Sequence, residues 1–190
     1  MTYYKVLGLK GEAIHGGSGR WHLPRGKRPG KWMPPIADPV PCKRGYHVVT
    51  AAQLLTWLEL AEATVYRVEV RGALVHDAYK SVVEQARLLG PCLAWNPRVE
   101  RLFAADCAER VLPIFEREYP TDDRPRKAIA AARAFARGEI DAAARDAAGA
   151  AAWAAAGAAA WDAARAAAWD AERRWQTRRL LAYLHGRVKR

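Results

Sequence analysis

Apolar and polar positions follow two different periods along this chain, and the change from one to the other falls near residue 90. Over Thr64–Gly72, TVYRVEVRG, Val65, Val68 and Val70 are set against Arg67, Glu69 and Arg71, which predicts a half-buried strand. Residues 2–9, TYYKVLGL, predict a short strand of mixed faces, and residues 42–49, CKRGYHVV, lead into another. Ser81–Leu89 reads both ways: Val82 and Val83 favour strand, whereas Glu84, Gln85 and Ala86 favour helix. Ala51–Ala63 places Leu54, Leu55, Leu58 and Ala61 near one side of a helix, with Thr50 as its cap.

After Gly90–Pro97, GPCLAWNP, nothing reads as strand. Val99–Glu118 predicts a helix that Pro113 interrupts with a kink. Thr121–Gly138, TDDRPRKAIAAARAFARG, carries its own punctuation. Thr121 and Asp122 suit the N-cap, Asp123 adds negative charge at the positive end of the dipole, and Pro125 falls in the first turn. Ala128, Ile129, Ala132, Phe135 and Ala136 form its apolar stripe, and Gly138 suits the position after its last turn. The alanine-rich remainder has high helix propensity. In it Gly149, Trp153, Gly157, Trp161 and Trp175 share one helical face, with the rings expected to pack between helices. An unbroken helix from Ile140 to Leu184 would exceed about 60 Å, so a break is expected near Gly149 or Gly157. The fold class is therefore α+β: a small mixed or antiparallel N-terminal sheet with helices, then an all-α bundle, divided as residues 1–95 and 96–190.

Charge adds a candidate function. The chain of 190 residues carries a formal net charge of +11, which favours nucleic acid or an acidic protein as partner and argues against mimicry of nucleic acid. Part of the charge sits in the Gly- and Pro-rich stretch 15–41. There Arg20, Arg25, Lys27, Arg28 and Lys31 face a single acid, Asp38, with Trp21 and Trp32 interleaved. Such a loop has cations for phosphates and rings for stacking bases; equally, both rings suit the edge of a small core. The tail adds Arg173, Arg174, Arg178, Arg179, Arg187, Lys189 and Arg190, with Arg178 and Arg179 as a second contact.

Two resemblances rest on particular residues. Cys107–Gly138 contains V-L-P-x-F-E at Val111–Glu116 and D-x-R-P-x-x-A-I at Asp122–Ile129, ahead of alanine-rich helices. It resembles a helical family of immunity proteins from bacterial polymorphic-toxin systems. That resemblance implies a binding protein and assigns no catalytic residue. The N-terminal half contains C-x-x-G-[FY]-H at Cys42, Gly45, Tyr46 and His47, followed by a helix and a strand ending V-E-V-x-G at Val68–Gly72. It resembles a domain of unknown function that recurs in phage and prophage proteins, from which it departs by the basic insertion before Cys42.

Chemistry-bearing constellations are sparse. Cys42 and His47, with His15, His22 and His76 in the same half, do not complete a usual zinc pattern, so no metal is expected. The order His15-Gly16-Gly17-Ser18, then Tyr46 before a helix, then Glu84 is loosely similar to ADP-ribosyltransferase-like folds. By that likeness His15 would position NAD, Tyr46 would stack on nicotinamide and Glu84 would polarise the ribose; otherwise no cofactor is expected. There is no long run of large apolar residues for a membrane span and no secretory h-region, and the three scattered cysteines suit a reducing cytoplasm. The resulting expectation is a non-enzymatic binding or inhibitor protein of a bacterial or phage conflict system, acting through basic surfaces. An NAD-using enzyme and a phage nucleic-acid-binding protein are the alternatives.

Overall fold

The computed structural model describes residues 1–58, 63–146 and 166–188. The expectations for Gly149, Trp153, Gly157 and Trp161, for the break near Gly149 or Gly157, for Lys189 and Arg190, and for the end of the helix predicted over Ala51–Ala63 lie outside the described residues. The fold is α+β, with strands in the N-terminal part and helices after it. The chain divides into two compact units. The first comprises Met1–Trp95 together with the segment that begins at Leu184; the second is Asn96–Tyr183.

In the first unit, β1 (Tyr3–Gly8), β2 (Tyr46–Thr50), β3 (Ala63–His76) and β4 (Ser81–Pro91) close into an antiparallel barrel in the order β1-β2-β4-β3. The ambiguous run from Ser81 is thus a strand. It forms the long hairpin partner of β3, which supplies its ladder hydrogen bonds over most of its length. Strong alternation shows in β3, where Tyr66, Val68 and Val70 join a core with Tyr3, Leu7, Val48, Ala86 and Leu88. Tyr4, Val6, Val49, Val65 and Val82, at the alternate positions of their strands, are buried as well. Both faces of β1 and β2 are therefore covered, which explains the unalternating YYKVLG and YHVV.

The helix α1 is short, Ala51–Leu54, where a longer one was expected. Its cap is as predicted: Thr50 Oγ1 accepts from Gln53 N, and Gln53 Oε1 accepts from Thr50 N at 2.9 Å. The Gln53 amide also donates to Asp77 O at 2.9 Å, so the cap is pinned to the β3–β4 turn. The chain leaves the helix at Leu55, where Thr56 and Trp57 donate to Gln53 O and Leu54 O in tight turns. Trp57 Nε1 is then committed to Tyr79 O at 2.8 Å.

The stretch 15–41 is ordered by backbone pairing that its composition conceals. Arg25 and Arg28 exchange two 3.0 Å hydrogen bonds around Gly26-Lys27, a two-residue turn with Gly26 at φ 59°. Beyond it, Gly30, Met33 and Ile36 donate to Leu88 O, Ala86 O and Glu84 O at 2.8–3.0 Å. The ladder of β2 on β4 ends at Val83. This extended Pro-containing segment continues it, satisfying β4 carbonyls that would otherwise lack partners.

In the second unit, α2 (Pro97–Glu118) begins at Asn96, whose Oδ1 accepts from Val99 N at 3.1 Å, and runs as one element through Pro113. The helix α3 (Arg124–Arg137) has its cap at Asp123, one residue past the predicted Thr121–Asp122, and Asp122 instead accepts from Arg124 N and its guanidinium. It ends as predicted on left-handed Gly138, φ 77°. Ala105, Leu112 and Ile129 form the α2–α3 core, with Ala132 packed against it. Asp141 caps a helical stretch that starts at residue 142, and α4 spans Ala166–Leu184.

Candidate functional site

The first unit holds a cavity of ≈ 550 Å³. Strands β1 and β2 supply Tyr4, Lys5, Val6, His47 and Val49; the loops supply His15-Gly16-Gly17-Ser18, Ile36, Cys42-Lys43-Arg44-Gly45, Trp57 and Lys80. Its described lining contains Lys5, Lys43, Arg44, Lys80, His15 and His47 and no carboxylate.

The motif Cys42-x-x-Gly45-Tyr46-His47 builds one wall. Val40 and Arg44 pair across a tight loop, N–O 2.7 and 2.9 Å, with Cys42 left-handed at φ 61°. Cys42 N–H donates to His47 Nε2 at 2.9 Å, which closes the loop onto β2. Gly45 has φ 110°, and a Cβ there would lie 2.6 Å from Val82 Cγ2 and 2.9 Å from Pro39 Cβ, so only glycine fits. Tyr46 turns the other way, donates to Pro34 O at 2.8 Å and meets the Trp21 ring edge-on at 5.5 Å. The motif is thus a loop closure that presents His47 to the cavity.

The tautomers follow from these partners. His47 Nε2 accepts a backbone N–H, so neutral His47 carries its proton on Nδ1. His15 Nε2 lies 3.1 Å from the Trp57 carbonyl and must donate to it. Burial, then Lys80 and Lys5, hold His47 below the usual histidine range. Burial, then Lys80, pull Lys5 down to about 8. Lys80 thus acts as like charge on both Lys5 and His47, and Lys5 on His47, and no described residue of the lining is an acid. Lys80 stands over the Trp57 ring, Nζ 5.4 Å from its centroid, and His15 meets the same ring edge-on at 5.0 Å.

Of the residues considered for NAD chemistry, only His15 lines the cavity. Tyr46 is committed to Pro34 and Trp21 in the core, as above. Glu84 sits at a β-bulge where β3 runs Arg71 to Leu74 against β4 Gln85 to Val83; its carboxylate accepts from the bulged Ala73 N at 3.0 Å beside Gly72. The three are not brought together. Among the described residues no group of three or more His, Cys, Asp or Glu is placed to hold a metal ion. The thiols of Cys92 and Cys107 are pushed up to about 11 by burial.

The basic loop is split between exposed cations and committed rings. Arg20, Arg25, Lys27, Arg28 and Lys31 are all exposed. Trp21 is 7% exposed and belongs to the barrel core, so the expectation that it stacks on a base is corrected: the ring has no free face. Trp32 is half-buried under two guanidinium groups, with Arg71 and Arg87 at 4.1 and 4.7 Å from its centroid. Those arginines are held by Gln85 and Glu69. Trp32 is thus also engaged within the fold.

In the tail Arg178 is exposed, whereas the half-exposed Arg179 is also engaged within the fold. Its guanidinium is bound to Asp106 at 2.7 Å. Asp106, 11% exposed in its side chain, accepts from Arg133, Arg179 and Tyr183 at 2.7–2.8 Å, and Arg133 also holds Glu109 at 2.7 Å. One carboxylate thereby ties α2, α3 and α4 together.

Lys5, Trp57 and Lys80 escaped the sequence reading. Lys5 left one legible trace, a charge within the otherwise apolar run YYKVLG; Lys80 lies in a turn and left none.

No curated protein and no solved structure matches the chain. Among the described residues no helix is long and apolar enough to cross a membrane. Residues 98–171, less than half of the chain, match the model of a family described as Imm-5 like putative immunity protein.

Proposed function

We propose that the protein is a non-enzymatic inhibitor of a bacterial conflict system, in which the helical module over residues 96–190 binds a toxin partner and the module over residues 1–95 supplies a further, basic binding surface. The observation that carries this reading is the match of residues 98–171 to an immunity-protein family. It covers nearly all of α2, all of α3 and, of the Asp106 network, Asp106, Glu109 and Arg133; Arg179 and Tyr183 lie beyond it. Immunity by binding requires a rigid, preformed face more than a reactive group, and helices joined by charge-assisted hydrogen bonds provide one. The decisive experiment is co-expression with the toxin domain that the full chain captures from a panel of polymorphic-toxin domains. Growth is expected to be restored by the full chain and to be lost when α3 is disrupted by Ile129→Asp; unrelieved killing by a toxin shown to be active would overturn the reading.

The basic loop supports a second contact, with an acidic protein surface or nucleic acid. Its five exposed cations lie within twelve residues, and none forms an ion pair with a described residue. With the tryptophans committed to the fold, contact with nucleic acid would be electrostatic and indifferent to sequence. A gel shift at low salt is expected to weaken with a log–log slope of roughly −0.7 to −0.9 per neutralised phosphate. Charge-neutral substitution of Arg25, Lys27 and Arg28 is expected to abolish most of the shift. Absence of any shift at micromolar protein would leave an acidic protein as the partner of this loop.

A further inference from the structure

We propose that the cavity bounded by β1, β2 and the His15–Ser18 loop is a binding site for a small phosphate ester. Four features of the site converge on an anion. Lys5 and Lys80 line the cavity, repel each other and form no ion pair with a described residue. His47, fixed by the Cys42 N–H on Nε2, carries its own N–H donor on Nδ1. Gly16, Gly17 and Ser18, also in the lining, donate no backbone hydrogen bond to another described residue, and such a glycine turn leaves main-chain N–H groups for an oxyanion. No described lining residue is acidic.

A cluster of like charge around a concavity is unfavourable to the fold by itself, because each charge raises the free energy of the next. Surface lysines escape this by extending into water. Here Lys5 is half-buried on a strand, and Lys80 is held at a turn that Gln53 and Trp57 pin through its carbonyls. A dianion placed among them relieves the repulsion and gains charge-assisted hydrogen bonds. The volume, ≈ 550 Å³, exceeds what a bare phosphate needs and is that of a small-molecule pocket. Ile36, Val49 and Trp57 give it an apolar side, so the ligand class is a phosphate monoester carrying a flat or apolar group. The site lies outside residues 98–171, so its test is independent of toxin rescue.

Calorimetric titration of the full chain at low ionic strength, with adenosine 5′-monophosphate, pyrophosphate and adenosine as probes, tests the proposal. Saturable one-to-one binding of the monophosphate, a weaker response to pyrophosphate and none to adenosine are expected, with a rise in melting temperature as ligand is added. Lys80→Met, at a turn position that tolerates change, is expected to weaken monophosphate binding by about tenfold or more, and Lys5→Met likewise. Lys10→Met, exposed in the turn after β1 and outside the cavity lining, is expected to change it by less than about twofold. Absence of saturable binding at millimolar monophosphate by folded protein would overturn the proposal. So would equal affinity for adenosine, or Lys10→Met costing as much as Lys80→Met.

Discussion

Asp106→Ala is expected to destabilise the helical unit by about 2–4 kcal/mol, measured as the shift of its urea unfolding curve. The substitution places the best helix former in the middle of α2, so helix propensity contributes nothing to the loss. What is lost is the acceptor for Arg133, Arg179 and Tyr183, leaving two guanidinium groups and a hydroxyl without their shared partner. A fully buried pair would cost about 3–5 kcal/mol to break. Side-chain exposures of 26% for Arg133 and 36% for Arg179 let water recover part of that. A loss below about 1 kcal/mol would place the pair in the class of surface ion pairs and remove it as the tie between the helices.

The same network sets an acid limit. Burial pushes the Asp106 carboxyl up, but the hydrogen bonds from Tyr183, Arg133 and Arg179 outweigh it and hold the group below the usual carboxylate range. A depressed folded pKa means that the unfolded chain binds the proton more readily. The stabilisation is therefore complete above the unfolded value of about 3.9 and is lost as pH falls through the folded value. Asp106→Asn is expected to flatten the loss of stability below about pH 4 while leaving the rest of the profile intact. An unchanged acid limb would assign it to other carboxylates, such as Glu109, which Arg133 also holds low.

Trp21→Ala is expected to destabilise the barrel unit by about 3–5 kcal/mol, the usual cost of emptying a large aromatic site in a core. The ring is buried among Tyr3, Leu7 and Val48, meets Tyr46 edge-on, and lies under Lys5 Nζ at 5.5 Å from its centroid. Its backbone is clamped as well, with Trp21 N donating to Gly11 O at 2.9 Å. A collapse that closed the gap would have to shift this anchored segment. Thermal unfolding followed with a gel shift on the folded fraction separates the two roles open to the residue. Lost stability with unchanged nucleic-acid affinity is the expected pair of results; lost affinity at unchanged stability would return Trp21 to the binding surface. Trp32→Ala, at a half-buried position, is expected to cost less.

Legibility differed between the two units for a physical reason. Helix signals are local: Thr50 as a cap, Pro125 in a first turn and Gly138 in the left-handed position act within one turn of chain, and the structure shows each in its role. Even so, the length of α1 was overestimated, because Leu54, Leu55 and Leu58 have helical spacing whether or not the backbone stays helical. The turn beyond Leu54 is set by Trp57 reaching Tyr79, a contact between residues distant in sequence. The ambiguity of Ser81–Leu89 was resolved in the same way, by β3 offering a ladder that no local propensity records.

The candidate site was legible only in parts. Cys42, Gly45, Tyr46 and His47 stood out as a motif, yet the reason for it, a backbone N–H received by a histidine ring and a glycine pressed against Val82, exists only once β2 lies beside β4. Composition marked the loop as basic and aromatic but did not distinguish its exposed cations from its buried ring. Arg178 and Arg179 are adjacent in the tail, and helix rotation turns one outward and the other onto Asp106. By itself the sequence determined the α+β class, the change of character near residue 90, the Thr50 cap, the Gly138 stop and the excess of positive charge, all of which are carried by residue type and near-neighbour spacing. Tertiary structure alone decided that the four strands close into a barrel, that a proline-rich stretch completes the β4 ladder, and that Lys5, His47 and Lys80 face one cavity. Those relations join residues tens of positions apart, and only the folded chain fixes the distances on which their electrostatics depend.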